Sequence, residues 1–329
     1  MTVLVTGGMG YIGSHTCISL LEAGYSIIIL DNLYNSNVDT LNKIKLITKK
    51  EVTFYQCDCT NREELFEIFE KHDISGVLHF AGLKAVGEST EKPYEYYYNN
   101  IVSTLLIAQA CQKYKVSKLI FSSSATVYGE NTVPFKETMS LLPTTNPYGE
   151  TKVMSERILS DFVKANPDLS VTILRYFNPV GAHGSGLIGE SPNGMPNNLM
   201  PYITKVAKGK IDKLRIFGKD YQTIDGTGVR DYIHVMDLAE GHVAAYSSLS
   251  TGIQIYNLGT GRGISVLQLL KAFEEANGIS IPYEVVDRRA GDIAECYADV
   301  SKANNELGWT AKRDLIAMCR DAWIYEKNN

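Results

Sequence analysis

Tyr148 and Lys152 stand four residues apart in Tyr-Gly-Glu-Thr-Lys. On a helix that spacing puts both side chains on one face, one turn apart. A free phenol has a pKa of about 10 and is a poor base at neutral pH. A neighbouring ammonium favours the phenolate and lowers that value, which is what a general base requires. Upstream, Phe121-Ser122-Ser123-Ser124 ends an apolar run in hydroxyls, so Ser124 could share the proton path. The chain has 20 tyrosines, so the spacing can also arise by chance. A helix-surface tyrosine beside a solvated lysine is the bland alternative.

A second group is built to hold phosphate. Thr6-Gly7-Gly8-Met9-Gly10-Tyr11-Ile12-Gly13 fits Gly-x-Gly-x-x-Gly from Gly8, and its variant from Gly7 through Gly10 to Gly13. Glycines there allow a tight turn, close approach of backbone to pyrophosphate, and close helix–sheet packing. The helix start behind them offers free N–H groups and a positive dipole end. Asp31 follows the next apolar run, where a carboxylate accepts from ribose hydroxyls and repels a 2′-phosphate. NAD is therefore expected rather than NADP, and its nicotinamide charge would help lower the Tyr148 pKa. Asp58, after the third run, faces either the adenine amino group or the start of a helix near Asn61 as its cap.

These groups need a frame. Apolar runs at 3–5, 27–30, 52–55, 77–80, 119–122 and 171–174 alternate with helical stretches at 11–23, 61–71, 95–114 and 148–165. Continuous apolar strands between helices predict an α/β doubly wound parallel sheet of Rossmann type. After Asn178 the rhythm breaks, and 181–197 is rich in Gly, Pro, Ser and Asn. Helices are expected at 199–208, 235–248, 265–276 and 314–325, with strands near 214–217, 253–257 and 283–286. Residues 1–178 are read as a cofactor domain and 179–329 as a smaller mixed α/β substrate domain. A strand and helix around 230–248 are expected to return to the first sheet, within a segment near 230–258.

Composition limits the alternatives. Lys+Arg is 32 against Asp+Glu 37, a net charge of -5, which argues against nucleic acid. No apolar run approaches the ~20 residues of a membrane helix, and the N-terminus does not read as a signal peptide. Six scattered cysteines are too few for a disulfide scaffold, and Cys57-x-Cys59 alone is a poor metal or redox signal. A cytoplasmic protein without a metal site is expected.

The longer stretches 3–15, 79–89, 121–129, 174–183, 196–202 and 225–238 resemble the extended short-chain dehydrogenase/reductase family, within it the UDP-hexose 4-epimerase branch. The resemblance implies tightly bound NAD held by Gly7, Gly10, Tyr11, Ile12, Gly13, Asp31, Asn32, Asn35, Ser36, Asp58, Cys59, Phe80, Ala81, Gly82, Lys84, Asn99, Ser122, Tyr148, Lys152 and Phe177. It implies a UDP-hexose at Ser124, Asn178, Asn198, Leu199, Arg215, Ile216, Phe217, Arg230, Arg289, Asp292 and Cys296, with Tyr148, Lys152 and Ser124 catalytic. A homodimer is also implied. Independently, a diphosphate needs planar cations such as Arg230 and Arg289, and Asn197-Asn198 precede a helix start that could hold an anion. Arg288 or Arg289 could instead form a solvated surface pair. In this family a tyrosine at the Cys296 position goes with plain hexoses, and a smaller residue with tolerance of an N-acetyl group. Neighbouring Tyr297 would reverse that inference if the register shifted by one.

The implied activity interconverts UDP-glucose and UDP-galactose, and with Cys296 their N-acetylated counterparts, through a transient 4-keto sugar. Related dehydratases carry an Asp-Glu pair after the active-site hydroxyl, where this chain has Ala125-Thr126. A net dehydrogenase would release NADH. A non-catalytic NAD sensor would need neither the Tyr–Lys pair nor a sugar domain.

Overall fold

A computed structural model describes all 329 residues except 192, 193, 195, 197, 249, 250 and 290. The first half runs β1 (Thr2–Thr6), α1 (Tyr11–Glu22), β2 (Ser26–Asp31), α2 (Asp39–Thr48), β3 (Thr53–Gln56), α3 (Arg62–Lys71), β4 (Ile74–His79), α4 (Val86–Glu91), α5 (Pro93–Lys113), β5 (Lys118–Ser124), α6 (Pro147–Ala165) and β6 (Ser170–Tyr176). The second half runs β7 (Asn178–Val180), α7 (Leu199–Ala207), β8 (Leu214–Phe217), β9 (Val229–Arg230), β10 (Tyr232–His234), α8 (Val235–Ser247), β11 (Ile253–Leu258), β12 (Ile264–Ser265), α9 (Val266–Asn277), β13 (Tyr283–Val286), β14 (Glu295–Cys296), α10 (Ser301–Leu307) and α11 (Leu315–Asn328).

Seven strands form one sheet in the order β11-β6-β5-β4-β1-β2-β3. Every pairing in it is parallel. Alternate side chains of the apolar runs feed two cores. Val3, Val5, Ile27, Ile29 and Leu78 pack with Ile18 of α1 and Leu238 of α8. Leu4, Ile28, Leu30, Val77 and Phe121 pack on the other face with Phe69 of α3, Ile107 of α5 and Leu159 of α6. This is the doubly wound sheet that the sequence predicts. Burying each such side chain stabilises by about 1.5–3 kcal/mol, so both faces must stay covered. The strand order reverses between β1 and β4, and the crevice outside their carboxyl ends is where such sheets take ligands.

The returning strand differs from the expectation. β10 pairs with β7 and β9 pairs with β12 and β14, all outside the large sheet. It is β11 that enters the sheet, in register with β6. α8 still packs on the first face through Leu238, Ala245 and Tyr246. The second half has its own core around Ile203, Leu214, Ile216, Leu269, Phe273 and Met318. Tyr128, Phe135 and Phe177 join Cys296 and Ala298 in a small cluster between the halves.

Candidate active site

The phosphate turn is shaped by backbone that only glycine suits. Gly7 has φ +68°, and a Cβ there would stand 2.7 Å from the Ala81 nitrogen. A Cβ on Gly13 would run into the Gly7 carbonyl. The turn is therefore pressed against the end of β4 on one side and against α1 on the other. Gly10 precedes α1 and gives it no side-chain cap, so its first N–H groups are left free by side chains. Asp31, at the end of β2, accepts from Met9 N at 3.0 Å, Leu33 N at 2.9 Å and the Ser36 hydroxyl at 2.8 Å. A carboxylate has about four acceptor positions, so one remains for a ribose hydroxyl. An uncapped helix start, a turn with no room for a Cβ and a carboxylate at the next strand end fit a dinucleotide.

Asp58 lies beyond β3, which ends at Gln56. It does not cap α3; Asn61 does, accepting from Glu64 N at 3.4 Å. Asp58 instead accepts from Thr60 N and Oγ1 at 2.8 and 2.7 Å and from Asn32 Nδ2 at 2.8 Å. Burial opposes its charge, yet the Thr60 and Asn32 hydrogen bonds hold it below the usual carboxylate range.

The catalytic candidates meet where β5 ends against α6. Asn146 caps that helix on Gly149 N at 2.9 Å, and Pro147 occupies its first turn. Lys152 is buried, and its Nζ donates to the Ser122 carbonyl at 2.8 Å. The same Nζ is 5.9 Å from the Tyr148 ring centroid. From the Lys152 spacing a lowered phenol pKa is expected. In the protein alone burial raises it, and a hydrogen bond from Ser124 opposes the rise. Any net lowering therefore needs charge supplied by what binds beside it. Ser122 hydrogen-bonds the Tyr176 hydroxyl.

One cleft of about 2370 Å³ runs from the phosphate turn past Tyr148 into the second half. All the nominated residues line it: the cofactor group from Gly7 to Phe177, the three catalytic candidates, and Asn178, Asn198, Leu199, Arg215, Ile216, Phe217, Arg230, Arg289, Asp292 and Cys296. Asn197 lies outside the described residues. Asn198 precedes α7 without capping it by its side chain and donates to Glu190 at 2.6 Å. Lys84 reaches the same carboxylate at 3.5 Å, so Glu190 is a cleft residue that the motifs did not flag.

The two arginines at 288 and 289 divide. Arg288 pairs with Asp220 at 2.7 Å and stacks on Tyr221, a surface pair. Arg289 lies over the Phe217 ring at 4.8 Å and reaches Asp292 at 3.3 Å. Arg230 approaches the other oxygen of Asp292 at 4.0 Å. Two guanidinium groups thus flank one carboxylate on the cleft wall, a suitable clamp for a diphosphate. β14 sets Cys296 beside Arg230 in parallel register. Cys296 is among the residues lining the cleft, and burial pushes its thiol pKa up to about 12, so it is neutral and small rather than nucleophilic. The Tyr297 ring turns away and packs on Gly263. Among the described residues no cluster of side chains could hold a metal ion.

Residues 3–259 match the sequence profile of the NAD dependent epimerase/dehydratase family. The chain is 57% identical over 332 residues to the UDP-glucose 4-epimerase of Bacillus subtilis (strain 168), covering 100% of this chain and 98% of that one. Among solved structures it is similar to the UDP-glucose 4-epimerase from Bifidobacterium longum in complex with NAD+ and UDP, with TM-score 0.97, 50% identity and coverage of 100% and 99%. It is also similar to the UDP-Glc/GlcNAc 4-epimerase from Campylobacter jejuni, with TM-score 0.86, 37% identity and coverage of 100% and 99%.

Proposed function

The chain belongs to the NAD-dependent epimerase/dehydratase family, and on that premise we propose that it is an isomerase that interconverts UDP-glucose and UDP-galactose at sugar C4 around a tightly held NAD. The observation that carries this reading is the single cleft in which the phosphate turn, the Tyr148–Lys152–Ser124 group and the Arg230–Arg289 pair stand in series. Residues 1–178 with the returning strand β11 serve as the cofactor half, and 179–329 as the UDP-sugar half.

Gly7, Gly10, Tyr11, Ile12, Gly13 and Asp31 would hold the dinucleotide, which supplies a hydride acceptor and donor at C4 by way of a 4-keto sugar. Ser124 donates to the Tyr148 phenolate, which takes the proton of the 4-hydroxyl to become a phenol and gives it back to the 4-oxygen when hydride returns. Lys152 adds positive charge beneath the phenol. Arg230 and Arg289 keep the diphosphate anchored while the sugar turns its other face to the same base. The reaction is redox-neutral, so no cofactor needs to leave. Supplying either UDP-hexose alone to the purified protein tests this reading. Both should relax to the same mixture; a protein that leaves both untouched overturns it.

Cys296 extends the substrate range. An acetamido group adds three heavy atoms at C2, and a thiol on the cleft wall leaves room where a tyrosine ring would overlap. Overpacking of that kind costs ~1–3 kcal/mol, a preference of roughly 5- to 150-fold. The N-acetylated UDP-hexoses are therefore read as substrates too, as the relative from Campylobacter jejuni is described. A homodimer is in keeping with the exposed apolar side chains Leu105 on α5 and Met154 on α6. All six cysteines are buried and unpaired, in keeping with a cytoplasmic enzyme.

A further inference from the structure

Glu156 stands one helical turn beyond Lys152 on α6, and only 6% of it is exposed. A buried carboxylate is costly unless it is paired and hydrogen-bonded. Here the partners come from two other elements. The Ser123 hydroxyl donates to Oε1 at 2.5 Å, Arg175 Nε donates to the same oxygen at 3.0 Å, and Arg175 Nη2 donates to Oε2 at 2.6 Å. Ser123 lies between Ser122 and Ser124 at the end of β5. Arg175 is its register partner on β6. Arg175 in turn lies over the Tyr128 ring at 4.9 Å, and the Tyr128 hydroxyl donates to Asn257 at 2.7 Å. One carboxylate thus ties α6 to the two strand ends that carry Ser122, Ser124 and Tyr176.

We propose that Glu156 is a positioning residue for the Tyr148–Lys152 base: it fixes the rotation of α6 against β5 and β6 and supplies the counter-charge that keeps the Lys152 ammonium protonated beneath Tyr148. The proposal rests on the Tyr–Lys reading of the reaction. Burial drives the Lys152 pKa down to about 8, and the Glu156 charge opposes that fall. The other groups facing Lys152 do not replace it. On α6 and β6, Tyr148 and Tyr176 are neutral phenols, both raised by burial. On β4, His79 is neutral, driven to about 3 by burial and by the Lys152 charge itself. β5 offers the Ser122 carbonyl and the Phe121 ring, 4.9 Å from Nζ. Arg175 is a cation already held by Glu156.

The sign follows. Turnover needs a protonated Lys152, so the rate falls as pH rises through its pKa. Without the Glu156 charge that fall should begin at lower pH. A purely structural ion pair would change stability and leave the limb where it is. The experiment compares kcat and KM for UDP-galactose against pH in the NAD-loaded wild type, Glu156→Gln, Glu156→Asp and the double variant Glu156→Gln/Arg175→Met. The double variant leaves no buried arginine unpaired, so it reports even where Glu156→Gln does not fold. In Glu156→Gln the alkaline limb of kcat should move down by about one pH unit, about tenfold in rate on that limb, with KM little changed; in the double variant, where the arginine charge leaves with the carboxylate, it should move down by a smaller step. Glu156→Asp should recover part of the shift. If wild type epimerises and the variants keep its limb, the role of Glu156 is wrong while the reaction stands. If wild type is inert on UDP-hexoses, the reading beneath it falls as well.

Discussion

At the scale of the residue, the reaction turns on Tyr148 and Lys152, which meet where β5 ends against α6. The Tyr148 and Lys152 spacing puts both on one face of α6, but a sequence does not say how deeply that face is buried. Burial is what lifts the phenol and depresses the lysine. Tyr148→Phe removes only the phenol oxygen, so it should fold, keep NAD and lose ~10²–10⁴-fold in kcat; a near-wild-type rate would remove Tyr148 as the base. Cys296→Tyr should lose kcat/KM selectively for the N-acetylated pair, because only those substrates place atoms where the ring would stand. Assays of all four UDP-sugars decide it: equal losses in both classes would show that Cys296 does not set the range. Glu156 and Glu190 escaped the sequence argument for a plain reason. A glutamate on a helix or in a polar loop is by default solvated, and nothing local marks one as buried against Arg175 or another as shared by Lys84 and Asn198.

At the scale of the element, β1, β2, β4, β5 and β6 were readable because each is a run of apolar residues buried on both sides, whereas β3 at the sheet edge is half exposed. The missed helices lack such a signal. α2 buries only Ile44, and α10 buries only Ala303 in a stretch rich in asparagine. The two-residue strands β9, β12 and β14 are too short for any period to appear, although β14 is what places Cys296. β11 was readable as a strand, but its pairing with β6 joins segments far apart in the chain, which no local pattern encodes. The phosphate turn is the element that most directly couples sequence to cofactor. Gly7→Ala should destabilise the protein by about 1–2 kcal/mol through left-handed backbone alone, with added strain from its contact at Ala81. Purified Gly7→Ala should therefore melt lower and carry little nucleotide after denaturation. Full NAD content at an unchanged Tm would show that the turn tolerates a side chain.

At the scale of the whole molecule, the second half of the sequence has one core of its own yet also covers the first sheet with α8 and enters it with β11. On the proposed reading, the cofactor stays fixed on one side while the sugar is presented twice from the other. The α5–α6 surface that carries Leu105 and Met154 should pair with itself across a two-fold axis. Sedimentation should give twice the chain mass of 36.5 kDa, and Leu105→Glu should shift it to the monomer; a monomeric wild type would rule that interface out. The central claim is that hydrogen leaves C4 and returns to C4 within one bound complex. UDP-galactose carrying deuterium at C4, incubated with the purified protein and free unlabelled NAD, tests it most directly by mass spectrometry and NMR of the product. The account predicts UDP-glucose that keeps the deuterium at C4, with none in the solvent and none in the free nucleotide. Deuterium lost to water, or accumulating as labelled NADH in solution, would contradict it.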